Sequence, residues 1–528
     1  MPLRTIFIVM GLSLLAFTAL ASASDTTTSP IKTFELDGVK SLPERDLRAV
    51  LAPWIGRPLD AATLQHATAA LEQHYLSHRL LARATLPPQD VTEGRVRIQI
   101  TEGQLGKVVM VAPVESIRPE TSQAMLDHYL GRDGLLRLDR LDEATSRLNA
   151  WPGLAAESSL ASGAQAGEID VQMKLAARRP WTATLRLDNE GARATGSARL
   201  LGDTQLVLPG GGGQTLGAGV AISEGSQQLR LDASTPLGLQ GFSATAYGSA
   251  LRYRLITPDF NALEVKGPSS SLGARLAWAT QRSSAGSTDV ALQLERRRFD
   301  NQALGVSLAR YKLDVLSLSV SKQILQAQSR AVSSAELTLS LGRVDLAGSA
   351  NEDTDAITQR TAGRYATARI NLQHWQPISD SQSVSLRASL LAGSKNLDVS
   401  ERLSATGATA VRAYPLGEAY GSRGALASIE WQFNLARQGH ANTTLALFAD
   451  AAALQQLKNA NFADAPEHND MTLAGVGAWA EWRPRTETAL RLSIAQPIGA
   501  RPNATVQGRN QDGSRIGTRV WASAQWNF

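Results

Sequence analysis

In a chain with seven histidines and no cysteine, metal or nucleophilic chemistry has few places to reside. His74 and His78 lie one helical turn apart in HYLSH, a spacing that can chelate a metal. The stretch lacks the intervening glutamate of a zincin helix, and no third ligand suggests itself. The pair therefore reads as a solvated helix face, and no metal is expected. Pro209–Gln214, PGGGGQ, is glycine-rich, but no Lys-Ser or Lys-Thr follows it. It reads as a turn between strands and not as a phosphate cradle. Glu418 and Asp450 could make a carboxylate pair, yet nothing in the sequence supplies a substrate pocket. No catalytic residue and no cofactor are expected.

A different kind of chemistry gathers at Val411–Gly424, VRAYPLGEAYGSRG. Two arginines, a glutamate, two tyrosines, three glycines and a proline make a charged, sharply turning insertion. The stretch after it, ALASIEWQFNL, alternates apolar and polar as a strand does. Downstream, TTLALFADAAAL places Leu445, Leu447, Ala449 and Ala451 on one face and Asp450 on the other. A carboxylate on that inner face needs a cation or water beside it.

The elements that must position these groups are strands. From Trp181 onward helical periodicity disappears. WTATLRLD sets Trp181, Ala183, Leu185 and Leu187 against Thr182, Thr184, Arg186 and Asp188. SVSLRASLL and the final GTRVWASAQWNF alternate in the same way, and the chain closes on Trp526 and Phe528. One apolar face and one polar face, repeated through 179–528, is the pattern of a transmembrane β-barrel with lipid outside and a wet lumen. At roughly 20–22 residues per strand with its connection, about 16 antiparallel strands are expected. A soluble β-sandwich or β-helix is the competing architecture.

The N-terminal third reads differently. Residues 1–23 combine Arg4, an apolar run from Ile6 to Leu20 and Ala21-Ser22-Ala23, the pattern of a secretory signal peptide. A short segment, 24–32, precedes two modules of one order, strand–helix–helix–strand–strand, at 33–105 and 106–178. In the first, Ser41 and Glu44 have the spacing of a capping box. Asp60 is the expected N-cap of a second helix carrying Leu64, Ala67, Leu71 and Tyr75 on one face. The net charge is +5, from 53 Lys and Arg against 48 Asp and Glu. The basic residues are scattered, so nucleic acid is not an expected partner.

Two stretches, LLARATLPPQDVTEGRVRIQITEGQLGKVV and VRAYPLGEAYGSRGALASIEWQF, carry a resemblance to a family. The chain resembles the TpsB transporters of two-partner secretion, the FhaC/ShlB/HecB type, which place two POTRA domains before a barrel. The resemblance implies a bacterial outer-membrane pore with periplasmic POTRA domains. Such a pore exports an unfolded partner exoprotein without nucleotide hydrolysis. A BamA-like insertase is the alternative within the same class, and an outer-membrane hydrolase the alternative outside it. Val411, Arg412, Ala413 and Tyr414 fall on the family's lid-loop motif, in a loop near 400–424 that folds inward. Ala413 stands where the family carries glycine, which argues against a left-handed backbone there. The motif implies that Arg412 pairs with Asp450 on the barrel wall and that exchanging the two charges restores some activity. Without that pairing the stretch is a solvated extracellular loop. With only a short segment before the first strand, no plug helix is expected.

Further expectations follow from the resemblance. The strand Ala82, Arg83, Ala84, Thr85 and Leu86, beside the helix Leu64–Leu80, is the expected cargo groove, taking an extended peptide by strand addition. Trp526 and Phe528 are the expected assembly signal. Partners are the cognate exoprotein, outer-membrane lipid and, during biogenesis, the barrel-assembly machinery.

Overall fold

The computed structural model describes residues 29–112, 114–131, 134–258, 262–435, 441–499 and 504–528. The expected signal peptide, 1–23, and the following residues up to 28 lie outside them. The chain divides after Arg178 into two units.

The first module runs β1 (Thr33–Asp37), α1 (Glu44–Leu51), α2 (Ala61–Ser77), β2 (Ala82–Thr85) and β3 (Arg95–Glu102). Its sheet has the order β1-β3-β2. Val96, Ile98 and Ile100 alternate inward from β3, and Leu47, Leu51, Ala67, Leu71 and Tyr75 meet them from the helices. Asp60 caps α2, accepting the Thr63 N–H at 2.6 Å. The capping box does not form. Pro43 occupies the N-cap of α1 with no side-chain cap. The Ser41 hydroxyl turns instead to Glu102 at the end of β3. That carboxylate also accepts the N–H groups of Lys40 and Ser41, both at 2.9 Å, and the Tyr75 hydroxyl at 3.0 Å. A buried carboxylate with four donors outcompetes a local cap, because its alternative is an unpaired buried charge.

The second module repeats the order with β4 (Gln104–Val111), α3 (Pro119–Leu130), α4 (Leu138–Asn149), β5 (Leu154–Ser162) and β6 (Glu168–Ala177). β4 opens ahead of the expected boundary at 106. Its sheet is β4-β6-β5.

The second unit is a closed barrel of sixteen antiparallel strands. Its first seven are β7 (Trp181–Asp188), β8 (Arg199–Val207), β9 (Thr215–Ser223), β10 (Ser226–Leu237), β11 (Phe242–Arg254), β12 (Lys266–Ser283) and β13 (Gly286–Ala303). Then come β14 (Val306–Gln326), β15 (Ala331–Asp345), β16 (Gly363–Pro377) and β17 (Gln382–Gly393). Two short strands, β18 (Leu403–Ser404) and β19 (Tyr420–Gly421), pair only with each other. The barrel resumes with β20 (Arg423–Asn434), β21 (Asn442–Gln455), β22 (Asp470–Arg485), β23 (Thr488–Ile498) and β24 (Arg519–Asn527). Closure satisfies the strand edges that lipid would leave without partners. Leu187, Leu386, Leu447 and Val520 lie on the exposed outer face, while Asp188, Asp450 and Trp521 are buried inside.

Closure is uneven. β13 and β14 pair from Gly286↔Ile324 to Ala303↔Val306. β24 and β7 pair only from Ser523↔Asp188 to Asn527↔Thr184. Beyond that point the Asn189 side chain acts as a substitute strand. Its Oδ1 accepts the Ala522 N–H at 2.8 Å and its Nδ2 donates to the Val520 carbonyl at 3.1 Å.

Candidate functional site

Residues 394–422 join β17 to β20 and turn into the barrel. Gly407 (φ 114°) and Gly417 (φ 88°) hold left-handed conformations that a side chain would strain. Between them the loop braces itself. The Val411 N–H donates to the Ala405 carbonyl at 3.0 Å, and the Thr406 hydroxyl accepts the Glu418 N–H at 3.1 Å. Ala413 is not among the described residues with positive φ, so its methyl replaces a glycine hydrogen without backbone strain.

At the tip, Arg412 is 3% exposed. Its Nε and Nη2 donate to the two Asp450 oxygens at 2.8 and 2.7 Å, and its own backbone N–H reaches Asp450 at 3.1 Å. Its Nη1 donates to Glu430 on β20 at 2.6 Å, and Nη2 also reaches the Ser428 hydroxyl at 3.0 Å. The guanidinium stacks on Phe448 with Cζ 3.5 Å from the ring centre. From β24, the Trp521 indole N–H donates to the Arg412 carbonyl at 2.8 Å. Glu430 is shared with Arg387 of β17 at 2.8 Å. A planar fork suits this arrangement, since one cation meets a carboxylate side-on and a second end-on.

The loop reaches far around the ring. Glu401 accepts Arg297 of β13 at 2.6 Å, and Arg412 meets Trp521 of β24. In the cyclic strand order these walls are nine steps apart one way and seven the other. A loop touching both crosses the lumen. Val411, Ala413 and Tyr414 are buried in one apolar cluster with Leu313, Phe448 and Trp479.

Gly475 on β22 faces Ala413, and a Cβ placed there would stand 2.5 Å from the Ala413 methyl. Gly475→Leu is expected to unseat the loop while every member of the Arg412 cluster is retained. Single-channel recordings in planar bilayers check this. A higher open fraction than the wild type is the expected result; identical traces would show that the contact does not seat the loop.

The other candidates lie apart. Glu418 accepts the Gln511 N–H at 2.8 Å, so it and Asp450 serve different partners. Ala82, Arg83, Ala84 and Thr85 form β2, an edge strand beside α2, and Leu86 follows it. Trp526 pairs with Leu185 of β7, and the Phe528 N–H donates to Ala183 at 2.8 Å. The His74 and His78 rings lie 4.6 Å apart. Among the described residues no group of three His, Cys, Asp or Glu could hold a metal ion.

Sequence reasoning missed Glu430, although ALASIEWQF points it inward between Ile429 and Trp431 by the same alternation that placed Asp450. Trp521 had a signal too, as an aromatic on the polar face of its strand. Nothing in the sequence alone marks Gly475.

Residues 29–103 match the ShlB-type POTRA domain. The heme/hemopexin transporter protein HuxB of Haemophilus influenzae is 23% identical over 470 residues, covering 86% of this chain and 80% of that protein. The structure of CdiB from Escherichia coli is similar at a TM-score of 0.68 and 16% identity, covering 97% of this chain and 93% of the other. BamA from Haemophilus ducreyi, lacking POTRA domains 1–3, follows at 0.53 and 15%, covering 95% and 100%. At these identities both structural likenesses speak for the fold. Residues 167–479, more than half of the chain, match the haemolysin secretion/activation protein family ShlB/FhaC/HecB, and the chain belongs to that family.

Proposed function

We propose that residues 394–422 are the lid of this outer-membrane two-partner secretion pore, and that the Arg412 cluster latches it. The supporting observation is the cluster itself: a buried arginine at the tip of a lumen-crossing loop, tied to β20, β21 and β24. Charge-assisted, bidentate bonds of this kind fix the position and orientation of a loop tip.

The periplasmic modules deliver the cargo in this reading. The cognate exoprotein arrives unfolded, and an extended segment adds to the β2 edge at Ala82–Leu86. The lid then yields, and the chain leaves through the barrel. Folding outside makes the step one-way, so no nucleotide is required. Trp526, on the strand that closes the barrel, and Phe528, just past its end, serve as the segment that the assembly machinery reads.

The edge strand gives a direct test. Ala84→Pro removes the N–H that an added strand would use and leaves the barrel unaltered. Co-expressed with its exoprotein, this variant is expected to release at least about tenfold less into the medium, the effect of losing one or two strand-pairing bonds. Release at the wild-type level, with equal barrel in the outer membrane, would exclude β2 as the docking edge.

A further inference from the structure

The two periplasmic modules share a construction. Each module has two sheet edges, the later edge strand being β2 in the first and β5 in the second. Each sets a helix against it, α2 and α4. An edge strand offers free N–H and C=O groups and is a template for one more strand. The modules treat that template differently.

On α2, half-buried Glu72 accepts the Ala84 N–H at 2.9 Å. A carboxylate accepts and cannot donate, so it gives nothing to the Ala84 carbonyl. On α4, Asn149 does both. Its Oδ1 accepts the Ala156 N–H at 3.1 Å, and its Nδ2 donates to the Ala156 carbonyl at 2.7 Å. Those two bonds copy what a neighbouring antiparallel residue makes in a hydrogen-bonded pair. Asn149 is held further by Arg178 at 3.1 Å and by the Thr145 carbonyl at 3.0 Å. Four bonds hold the amide in place, whereas one holds the carboxylate.

We propose that Glu72 is a displaceable stand-in for the partner's backbone on the β2 edge, while Asn149 permanently closes the equivalent place on β5. Between these two edges, docking is thereby assigned to β2. The inference rests on the reading of Ala82–Leu86 as the docking edge and adds what guards it. The occupant is an extended segment of the exported partner. One of its carbonyls replaces Glu72 at the Ala84 N–H, and its N–H satisfies the Ala84 carbonyl that Glu72 leaves unserved. Leu76, one turn beyond Glu72, and Leu86, past the end of β2, are 40% and 39% exposed. They flank the edge and favour apolar side chains at alternate positions of the segment. A basic side chain beside those positions meets the released Glu72 carboxylate.

The test uses the full chain in nanodiscs. The probe is a fluorescent synthetic peptide of alternating valine and threonine with lysines at its ends. A second peptide, N-methylated at every other nitrogen, cannot pair as a strand. A benzophenone at position 83 or 158 reports which edge is occupied. Glu72→Ala is expected to bind the first peptide about tenfold more tightly than wild type, since the incoming strand no longer displaces a charge-assisted bond. Glu72→Gln, whose amide can donate as well as accept, is expected to bind more weakly than wild type. Hydrogen exchange at the Ala84 amide should speed up in Glu72→Ala and stay slow in Glu72→Gln. The methylated peptide should bind none of them. Equal affinity of wild type and Glu72→Ala, with crosslinking at 83, would overturn the guard and leave the docking edge standing. Absence of crosslinking at 83 in every variant would overturn the docking edge and the guard together.

Discussion

Arg412→Ala is expected to abolish partner release while the barrel still reaches the outer membrane and still shifts mobility on heating. The arginine joins no strand pairing, so the ladder that closes the barrel survives its loss. The substitution leaves Asp450 buried without its cation and Glu430 with Arg387 alone. Breaking a buried pair from one side costs about 3–5 kcal/mol, most of it from the charge left behind. The tip keeps its Trp521 bond and its apolar contacts but loses its charged anchor, and the lid is then expected to move without reference to cargo. Arg412→Lys should fare little better, because an ammonium cannot span two carboxylates and stack on Phe448 at once. The structure also alters the expectation for exchanging charges. Arg412→Asp with Asp450→Arg leaves the new carboxylate facing Glu430, so the exchange alone is expected to fail. Adding Glu430→Gln should recover part of the release. Secretion assays at matched outer-membrane levels decide this, and wild-type release by Arg412→Ala would remove the latch.

The second large effect is expected in the first periplasmic module. Glu102 ties the loop at Lys40–Ser41 to Tyr75 of α2 and to its own strand. Burial works to raise its carboxyl, but the bonds from Ser41, Lys40 and Tyr75 outweigh that and hold it below the ordinary range. Glu102→Gln replaces an acceptor of four bonds by a neutral group that must also place two donors. A loss of about 3 kcal/mol is expected, on the scale of one or two bonds to a charged group. For a module of this size that lowers the unfolding midpoint by roughly 10 °C or more. The sign with pH follows from the depressed value. The stabilisation is complete above the unfolded pKa of about 4.3 and is lost as pH falls through the lower folded one. Wild type should therefore lose stability steeply in acid where Glu102→Gln is flatter. Hydrogen exchange at the Val96 and Ile98 amides across pH measures both; matching profiles would show that Glu102 contributes no charge-dependent stability.

What the sequence disclosed tracks the range of each interaction. Strand alternation is local, so the outward leucines of β21 and the inward Asp450 were readable from a dozen residues. The N-cap at Asp60 is local too. Ser41 was misread because its partner, Glu102, is 61 residues away, and the nearer Glu44 fits a familiar spacing. The inward turn of the loop came with the family motif, but how far it crosses did not, since Arg297 and Glu401 are 104 residues apart. The family motif supplied Arg412 and Asp450, and motif reasoning stopped at two residues where the geometry uses six. Glu430 was within reach of the pattern and was passed over because a single cation already had a partner.

A cylinder of hydrogen bonds is only as strong as its shortest weld. Between β24 and β7 that weld is five residue pairs, lengthened by Phe528 with Ala183 at one end and by Asn189 at the other, against eighteen between β13 and β14. Hoop stress from a chain forced through the lumen falls on every strand pair alike, yet the load per bond is greatest there. An amide side chain on a rotatable stem can let go and re-engage where a backbone rung would have to be torn. The side-chain bonds of Asn189 are therefore expected to open before the backbone rungs of β24 and β7 when that join is strained.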